Sequence, residues 1–448
     1  MVKNNLATAP APHLHSPLST PKIMAITLLS LLPAVLVSIY FFGTGLLWQF
    51  LISAVTAFLC QLLVGFLRHR SLYKSIGDLS YLVTAIILAL TLPPLLPFFL
   101  TIIVTAFAIL IVKECFGGLG MNIFNPAMAG FIFLLISAPA FVFNTHIAPA
   151  PKAYTIASLG ETYEVIFNNE SPIKIQDDIS KLNHHTDKIS ENIAEKTSVD
   201  AGRPLNNTDS AAKKASENVD TASNAITDKH SENASAKASD KSVNTASDDI
   251  TDKHSENTSA KASDKKVDVT SGASVDSTSG ATWLESSKTA RKSGQLKENP
   301  QINYINGNES GYLYLSLSYV LGGLILLAFK IIFLRMVVSF FVALSCFVLL
   351  GQWLFPDLVL ALDEQILLGG TMIGAFYIIT DPVTNAGTAR GRIVFAILCA
   401  FLIVLIRAFG SYSDSVAFAV LLSNAAAPLI DVLTHRRAYG YNYRKRSL

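Results

Sequence analysis

The segments "AIILALTLPP" (85–94) and "AFYIITDPVT" (375–384) decide how this chain is read. Each is an apolar run that reaches a Thr, passes one residue and meets a Pro. Working outward, "ILIVKECFGG" (109–118) pairs with "FLIVLIRAFG" (401–410), and "NPAMAGFIFLL" (125–135) pairs with "DSVAFAVLLSN" (414–424). Two halves of one chain therefore carry the same punctuation in the same order.

Apolar segments fall near 23–43, 45–67, 78–93, 96–113, 125–143, 313–329, 332–354, 366–380, 393–408 and 413–434. That makes about ten membrane crossings, since a helix needs roughly twenty apolar residues to cross a bilayer. The chain is 51% hydrophobic and only 15% charged. Its charge concentrates in one polar block between the apolar halves. This composition excludes a soluble protein with buried helices and predicts an all-α polytopic membrane protein. The first apolar segment is read as a retained helix rather than a cleaved signal, because more spans follow it. The net charge of +2 averages over both sides of a membrane and says nothing of partners. Cys60, Cys115, Cys346 and Cys399 all lie in or beside apolar segments without CxxC spacing, which argues against zinc sites and disulfide frameworks.

Orientation follows from the basic residues. With the N-terminus in the cytoplasm, the cytoplasmic loops receive Lys3, Lys22, Arg68, Arg70, Lys74, Lys113, Lys330, Arg335, Arg390 and Arg392, together with the tail Arg436, Arg437, Arg444, Lys445 and Arg446. The opposite loops then carry little beyond Arg407. The polar block follows the fifth span and lies outside, in the periplasm of a diderm cell. The organisation expected is a cytoplasmic segment 1–22, a membrane half 23–143, a periplasmic loop 144–312, a second membrane half 313–434 and a basic tail 435–448.

Five spans that begin inside and five that begin outside make an inverted repeat. Spans three and eight are short and end at Pro. If they break within the bilayer they line a cavity, because free backbone groups are not tolerated in hydrocarbon; the alternative is that each Pro ends its helix at the interface. "GGLGMNIFNPAMAG" (117–130) and "GGTMIGAFYIITDPVTNAGTARGR" (369–392) add Gly, Asn and one acid to those breaks. Asp381, Thr380, Asn125 and Asn122 are the candidate ion-path residues, an intramembrane acid being a functional hypothesis by default. At the membrane surface Asp381 would be only a cap or a partner for Arg390.

The central block, about 170–275, is rich in Ser, Ala, Asp, Lys and Asn. It repeats "ITDKHSEN" at 226–233 and 250–257. It has too little apolar surface to offset chain entropy, so a largely disordered insertion is expected, with His230 and His254 solvated. At its end "VDVTSGAS" (267–274) is followed by "VDSTSGAT" (275–282). Small neighbours make Ser274 and Thr282 accessible hydroxyls on which a flavin mononucleotide phosphate could be esterified.

The chain resembles the RnfD family, D subunits of Rnf/Rsx electron-transport complexes, and more distantly the NqrB subunits of sodium-pumping quinone reductases. The resemblance covers roughly 10–145 and 310–440. It rests on "APHLHSPLSTPKIM", the two Gly/Asn motifs above, "SGAT", and the run from "GRIVFAILCA" to "LTHRRAYG". It implies a covalent FMN on the Thr of a D-x-x-S-G-A-T-like motif, attached by a periplasmic flavin transferase. By position that is Thr282, with Asp276, Ser279, Gly280 and Ala281 as its motif, and Ser274 as a secondary acceptor. It leaves room for a second, non-covalent flavin. It implies one subunit of a larger inner-membrane complex that couples ferredoxin:NAD-type electron transfer to sodium or proton translocation. The chain is not catalytic alone, for it has no nucleotide-binding Gly fingerprint and no cysteines spaced for an iron–sulfur cluster. No nucleic-acid partner is expected. The rival readings are a secondary transporter or channel with no redox role, and a scaffold that docks other subunits.

Overall fold

The computed structural model describes residues 19–69, 76–168, 170–183, 310–356, 358–410 and 415–435. Among them there is no strand. All ten apolar segments expected from the sequence are helical. In chain order they are α1 (Thr20–Phe42), α2 (Gly45–Leu67), α3 (Ser80–Thr91), α4 (Phe98–Ala106, continuing as a π-helix Phe107–Glu114), α5 (Pro126–Ser137), α6 (Ser310–Ala328), α7 (Leu334–Leu354), α8 (Thr371–Ile373, continuing as a π-helix Gly374–Ile378), α9 (Ala389–Phe409) and α10 (Val416–Thr434).

Six of these, α1, α2, α6, α7, α9 and α10, are long and apolar enough to cross a membrane. The others are shorter. At about 1.5 Å per residue, α3 and α5 reach only about 18 Å, against roughly 30 Å of hydrocarbon. Neither α3 nor α8 is long enough to span a bilayer by itself, and each ends at a break. Leu92 turns extended at the end of α3 and is followed by Pro93 and Pro94. Gly369 and Gly370 start α8 at φ +65° and +71°, a backbone that glycine adopts without strain. Asp381 and Pro382 follow its end.

Packing keeps the pairing of the halves. In the first half α2 packs on α3 and α4; in the second α7 packs on α9 and touches α8. Across the halves two repeat pairs meet: α1 lies against α6, and α5 against α10. One continuous apolar core runs through both halves. Helix α1 bends at Leu31, where Pro33 withholds the amide that would have bonded Leu29 O. The Tyr377 hydroxyl donates to Ser30 O at 3.0 Å beside that bend.

A second, smaller core belongs to a cap at one end of the first half. Residues 145–168 and 170–183 fold over the α1–α2 turn and the loop after α3. Ile147, Ile156, Val165, Ile175, Ile179 and Leu182 are buried there with Leu95. The helix at 173–183 lies inside the Ser/Asp/Lys-rich block, yet its apolar residues recur at helical spacing, which is enough to dock one face. The cap is pinned to the membrane helices by backbone bonds, Thr44 N to Ala157 O at 3.0 Å and Ala150 N to Phe41 O at 2.9 Å. Trp48 Nε1 adds a bond to Leu159 O at 3.1 Å.

Candidate functional site

Helices α3 and α8 run in opposite directions, and a cavity opens at each end of the pair. The cavity beneath the cap measures about 220 Å³. It is walled by Ala89–Leu92 and Pro94 after the α3 break, by Gly369–Ile373 at the start of α8, by Tyr312, Ser316 and Tyr319 of α6, and by His146 of the cap. The cavity at the other end measures about 110 Å³. It is walled by Thr84 and Ser80 of α3, by Tyr377, Thr380 and Asp381 at the end of α8, and by Lys113, Asn122 and Asn125. The four polar residues singled out from the sequence, Asp381, Thr380, Asn125 and Asn122, thus come together around one cavity. Leu88, fully buried, lies on α3 between the stretches that wall the two cavities. The Tyr319 and Tyr377 rings, one from each lining, stand 6.3 Å apart edge to face.

Each polar group in the smaller cavity is held by its neighbours. The Asp381 carboxylate accepts from Val383 N at 3.1 Å and from the Thr384 hydroxyl at 3.1 Å. Thr380 donates back to Phe376 O at 2.6 Å. Asn125 caps α5, its Oδ1 accepting from Ala127 N and Met128 N. With the carboxamide of Asn424 turned to satisfy both its atoms, that side chain links Asn125 N to Thr384 O. This joins the two Gly/Asn motifs across the halves. Asn122 donates to Phe124 O at 3.1 Å, while its buried Oδ1 has no described partner.

Two cations that the sequence reading assigned to loops lie elsewhere. Lys113 belongs to the buried last turn of α4, where its ammonium donates to Ser80 Oγ at 2.7 Å and Gln61 Oε1 at 3.4 Å. Arg407 belongs to the last turn of α9 and is 1% exposed. It donates to Gln365 Oε1 at 2.9 Å, Thr371 Oγ1 at 3.0 Å, and the carbonyls of Gln365, Leu368 and Gly369. The two arrangements match. In each half a cation ending one span ties a glutamine and the hydroxyl residue that opens the broken helix, Ser80 for α3 and Thr371 for α8. A charge inside otherwise apolar runs, "IVKECFGG" and "VLIRAFG", was the available signal. What hid it was that the positive-inside count treats every cation near a span end as exposed.

In the cap-side cavity the polar groups are fewer. Ser316 donates to Leu367 O at 3.0 Å, and Thr371 to Gln365 O at 2.8 Å. Phe42 and Tyr312 meet edge to face at 5.8 Å in its wall. His146 enters the cavity from the cap, and neither ring nitrogen bonds a described residue. The ring keeps some accessible surface where it lines the cavity, yet protein crowds it closely enough that burial lowers its pKa from the ordinary 6.5 to about 4. Thr282, Asp276, Ser279, Gly280, Ala281 and Ser274 lie outside the described residues.

A family model described as the NQR2, RnfD, RnfE family matches residues 7–440. A protein of Escherichia fergusonii, named as the D subunit of an ion-translocating oxidoreductase complex, is 32% identical over 438 residues, spanning 97% of this chain and 98% of its own. A protein of the same name from Tolumonas auensis is 30% identical over 439 residues, spanning 98% of this chain and 100% of its own. The like-named protein of Escherichia coli K12 is 32% identical over 438 residues, covering 97% and 98%.

Proposed function

The chain belongs to the NQR2, RnfD, RnfE family, and from that premise we propose that it is the membrane flavoprotein subunit of an ion-translocating electron-transport complex. Its relatives carry the name of such a subunit, and the name implies companion subunits. The observation that carries the reading is the pair of cavities stacked along α3 and α8, the one under the cap lined by aromatic side chains, the one at the other end lined by Asp381 and Lys113.

In this reading the protein sits in a bacterial inner membrane with both termini cytoplasmic and the cap in the periplasm. FMN is esterified to Thr282 by a periplasmic flavin transferase, within the motif Asp276, Ser279, Gly280 and Ala281. Thr282 precedes Ser310, the first residue of α6, by 28 positions. A chain of that length spans up to about 90 Å, so the cap-side cavity is within its reach. The lining suits a flavin ring: Tyr312 and Phe42 offer aromatic edges, the Gly369–Gly370 backbone lets a ring approach closely, and among the described lining residues there is no carboxylate to repel an electron-rich ring. When bound, the flavin supplies one- and two-electron redox chemistry. The chain's own residues do the rest. The cap covers the cavity through the Thr44–Ala157 and Ala150–Phe41 bonds. Arg407 fixes the start of α8, and the Tyr377–Ser30 bond fixes the layer between the cavities.

At the cytoplasmic end, Asp381 offers the charge for a sodium ion or proton, with Thr380 and Asn122 as neutral oxygens and Asn125 fixing the local backbone. Lys113, held by Ser80 and Gln61, lines the same cavity. Electrons are exchanged with ferredoxin- and NAD-linked subunits. The second reading, a transporter without redox chemistry, draws on the same stacked cavities and paired halves.

The test is direct. The full chain is expressed with its flavin transferase and run on a denaturing gel, as wild type, Thr282→Ala and Ser274→Ala. Flavin fluorescence in the band, lost only in Thr282→Ala, is expected. A dark wild-type band, with a transferase active on another substrate, would leave the transporter reading standing.

A further inference from the structure

The cap-side cavity has one group able to change charge near neutral pH. Among its described lining residues there is no Asp, Glu, Lys or Arg. The titratable ones are His146, Tyr312 and Tyr319, which come from the cap and from α6. Tyr319 and Tyr377 lie side by side, and Tyr377 is committed to Ser30 O, so the tyrosines form a neutral floor. His146 differs in its placement. It follows the last helical turn after α5, and its own backbone carbonyl is clamped by Gln176 Nε2 at 2.8 Å. The same amide group also binds Asn144 O at 2.8 Å. The neighbouring Thr145 O accepts from Leu95 N at 3.3 Å, which ties this stretch to the loop that closes the cavity. The backbone is thus fixed on both sides of an imidazole that bonds no described residue.

Such a cavity resists a change in charge. One electron added to a ring inside it is a unit charge in a low-dielectric space. The buried Arg407 guanidinium stands behind the wall, bonded to the lining residues Leu368, Gly369 and Thr371, but it stays charged at every relevant pH and cannot answer the electron by taking up a proton. Among the described lining side chains, a neutral imidazole beside that ring is the one that can compensate by taking a proton near neutral pH.

We propose that His146 is the charge-compensating residue of the cap-side cavity, binding one proton when one electron resides on a redox ring there. This rests on the flavin reading above. The balance is simple: one electron arrives from the complex's electron donor onto the ring, and one proton from water on the cap side binds an imidazole nitrogen. One N–H bond forms, none breaks in the protein, and the net charge of the cavity is unchanged. On reoxidation both leave. His146 is a positioning residue in this scheme, for it acts on the ring through charge. Burial supports it from the other side: with the ring oxidised, the imidazole is neutral throughout the physiological range.

The experiment is a redox titration of the covalent flavin, followed by absorbance at several pH values between 5.5 and 8.5. It uses the full chain in its membrane complex, as wild type and His146→Gln. A proton bound per electron gives a potential that falls by about 59 mV per pH unit for a one-electron step. The expected result is that slope in the wild type, with its flattening and a lower potential at pH 6 in His146→Gln. A flavin-bearing His146→Gln complex with an unchanged slope would overturn the inference and leave the flavin reading intact. A chain whose gel band carries no flavin overturns both. Should His146→Gln fail to assemble, redox-difference infrared spectra of the wild-type complex with ring-labelled histidine decide the matter. Imidazolium bands that appear on reduction support the proposal, and their absence overturns it.

Discussion

The closest approach in the membrane core is made at Gly322 of α6, and replacing it by Ala tests the packing between the two cavities. A Cβ built there lies 1.9 Å from the Tyr377 hydroxyl and 2.1 Å from Ser30 O. The hydroxyl is the tip of a side chain and can turn away. Ser30 O is backbone, so α1 and α6 must separate by roughly 1 Å to reach an ordinary contact. Overpacking of this kind costs about 1–3 kcal/mol. Loss of the buried Tyr377–Ser30 bond adds about 1–3 kcal/mol, because Ser30 O is left without its donor. The sum, about 2–6 kcal/mol, corresponds to a fall in melting temperature of roughly 5 °C or more. The assay is thermal unfolding of the purified protein in detergent, with Gly160→Ala as control, since a Cβ at Gly160 meets nothing within 4 Å. Adding Tyr377→Phe to Gly322→Ala removes the nearer clash and recovers part of the loss, a coupling that a double-mutant cycle reads directly. A Gly322→Ala protein that melts with Gly160→Ala would refute the reasoning and mean that α1 and α6 lie farther apart.

Further outcomes follow from individual contacts. Arg407→Met orphans the carbonyls and hydroxyl that open α8, and costs at least about 3 kcal/mol, whereas the exposed Arg390→Met stays within about 0.5 kcal/mol; thermal melts compare the two. Asn125→Ala removes the cap of α5 and lowers stability by about 0.5–2 kcal/mol in the same assay. Asp381→Asn keeps an acceptor for Val383 N and folds with little loss, yet reduces ion uptake coupled to electron transfer in proteoliposomes by at least about tenfold, a barrier change near 1.4 kcal/mol. The His146 pKa is lower in the folded protein than in the unfolded chain. The unfolded chain therefore binds the extra proton, and stability that is complete above about pH 6.5 is lost as pH falls toward 4. His146→Gln flattens that part of the melting-temperature profile.

The apolar runs, their lengths and the Pro residues that end the third and eighth were legible in the sequence, because span length and helix breaking are local properties of the chain. So was the pairing of the halves, since equivalent helices need equivalent punctuation. The sequence also nominated Asp381, Thr380, Asn125 and Asn122, each beside a break. It could not show that they share one cavity, because residues more than 250 positions apart meet only when the two halves pack on each other. It placed Lys113 and Arg407 among loop charges, since a cation near a span end looks the same whether it faces water or a broken helix. His146 had no motif at all, and its setting comes from Gln176 and Leu95 closing over it. Gly322 read as an ordinary small residue in an apolar helix. Only the crossing of α1, α6 and α8 makes its missing side chain a requirement, because close packing between helices depends on which residues meet and not on how often they occur.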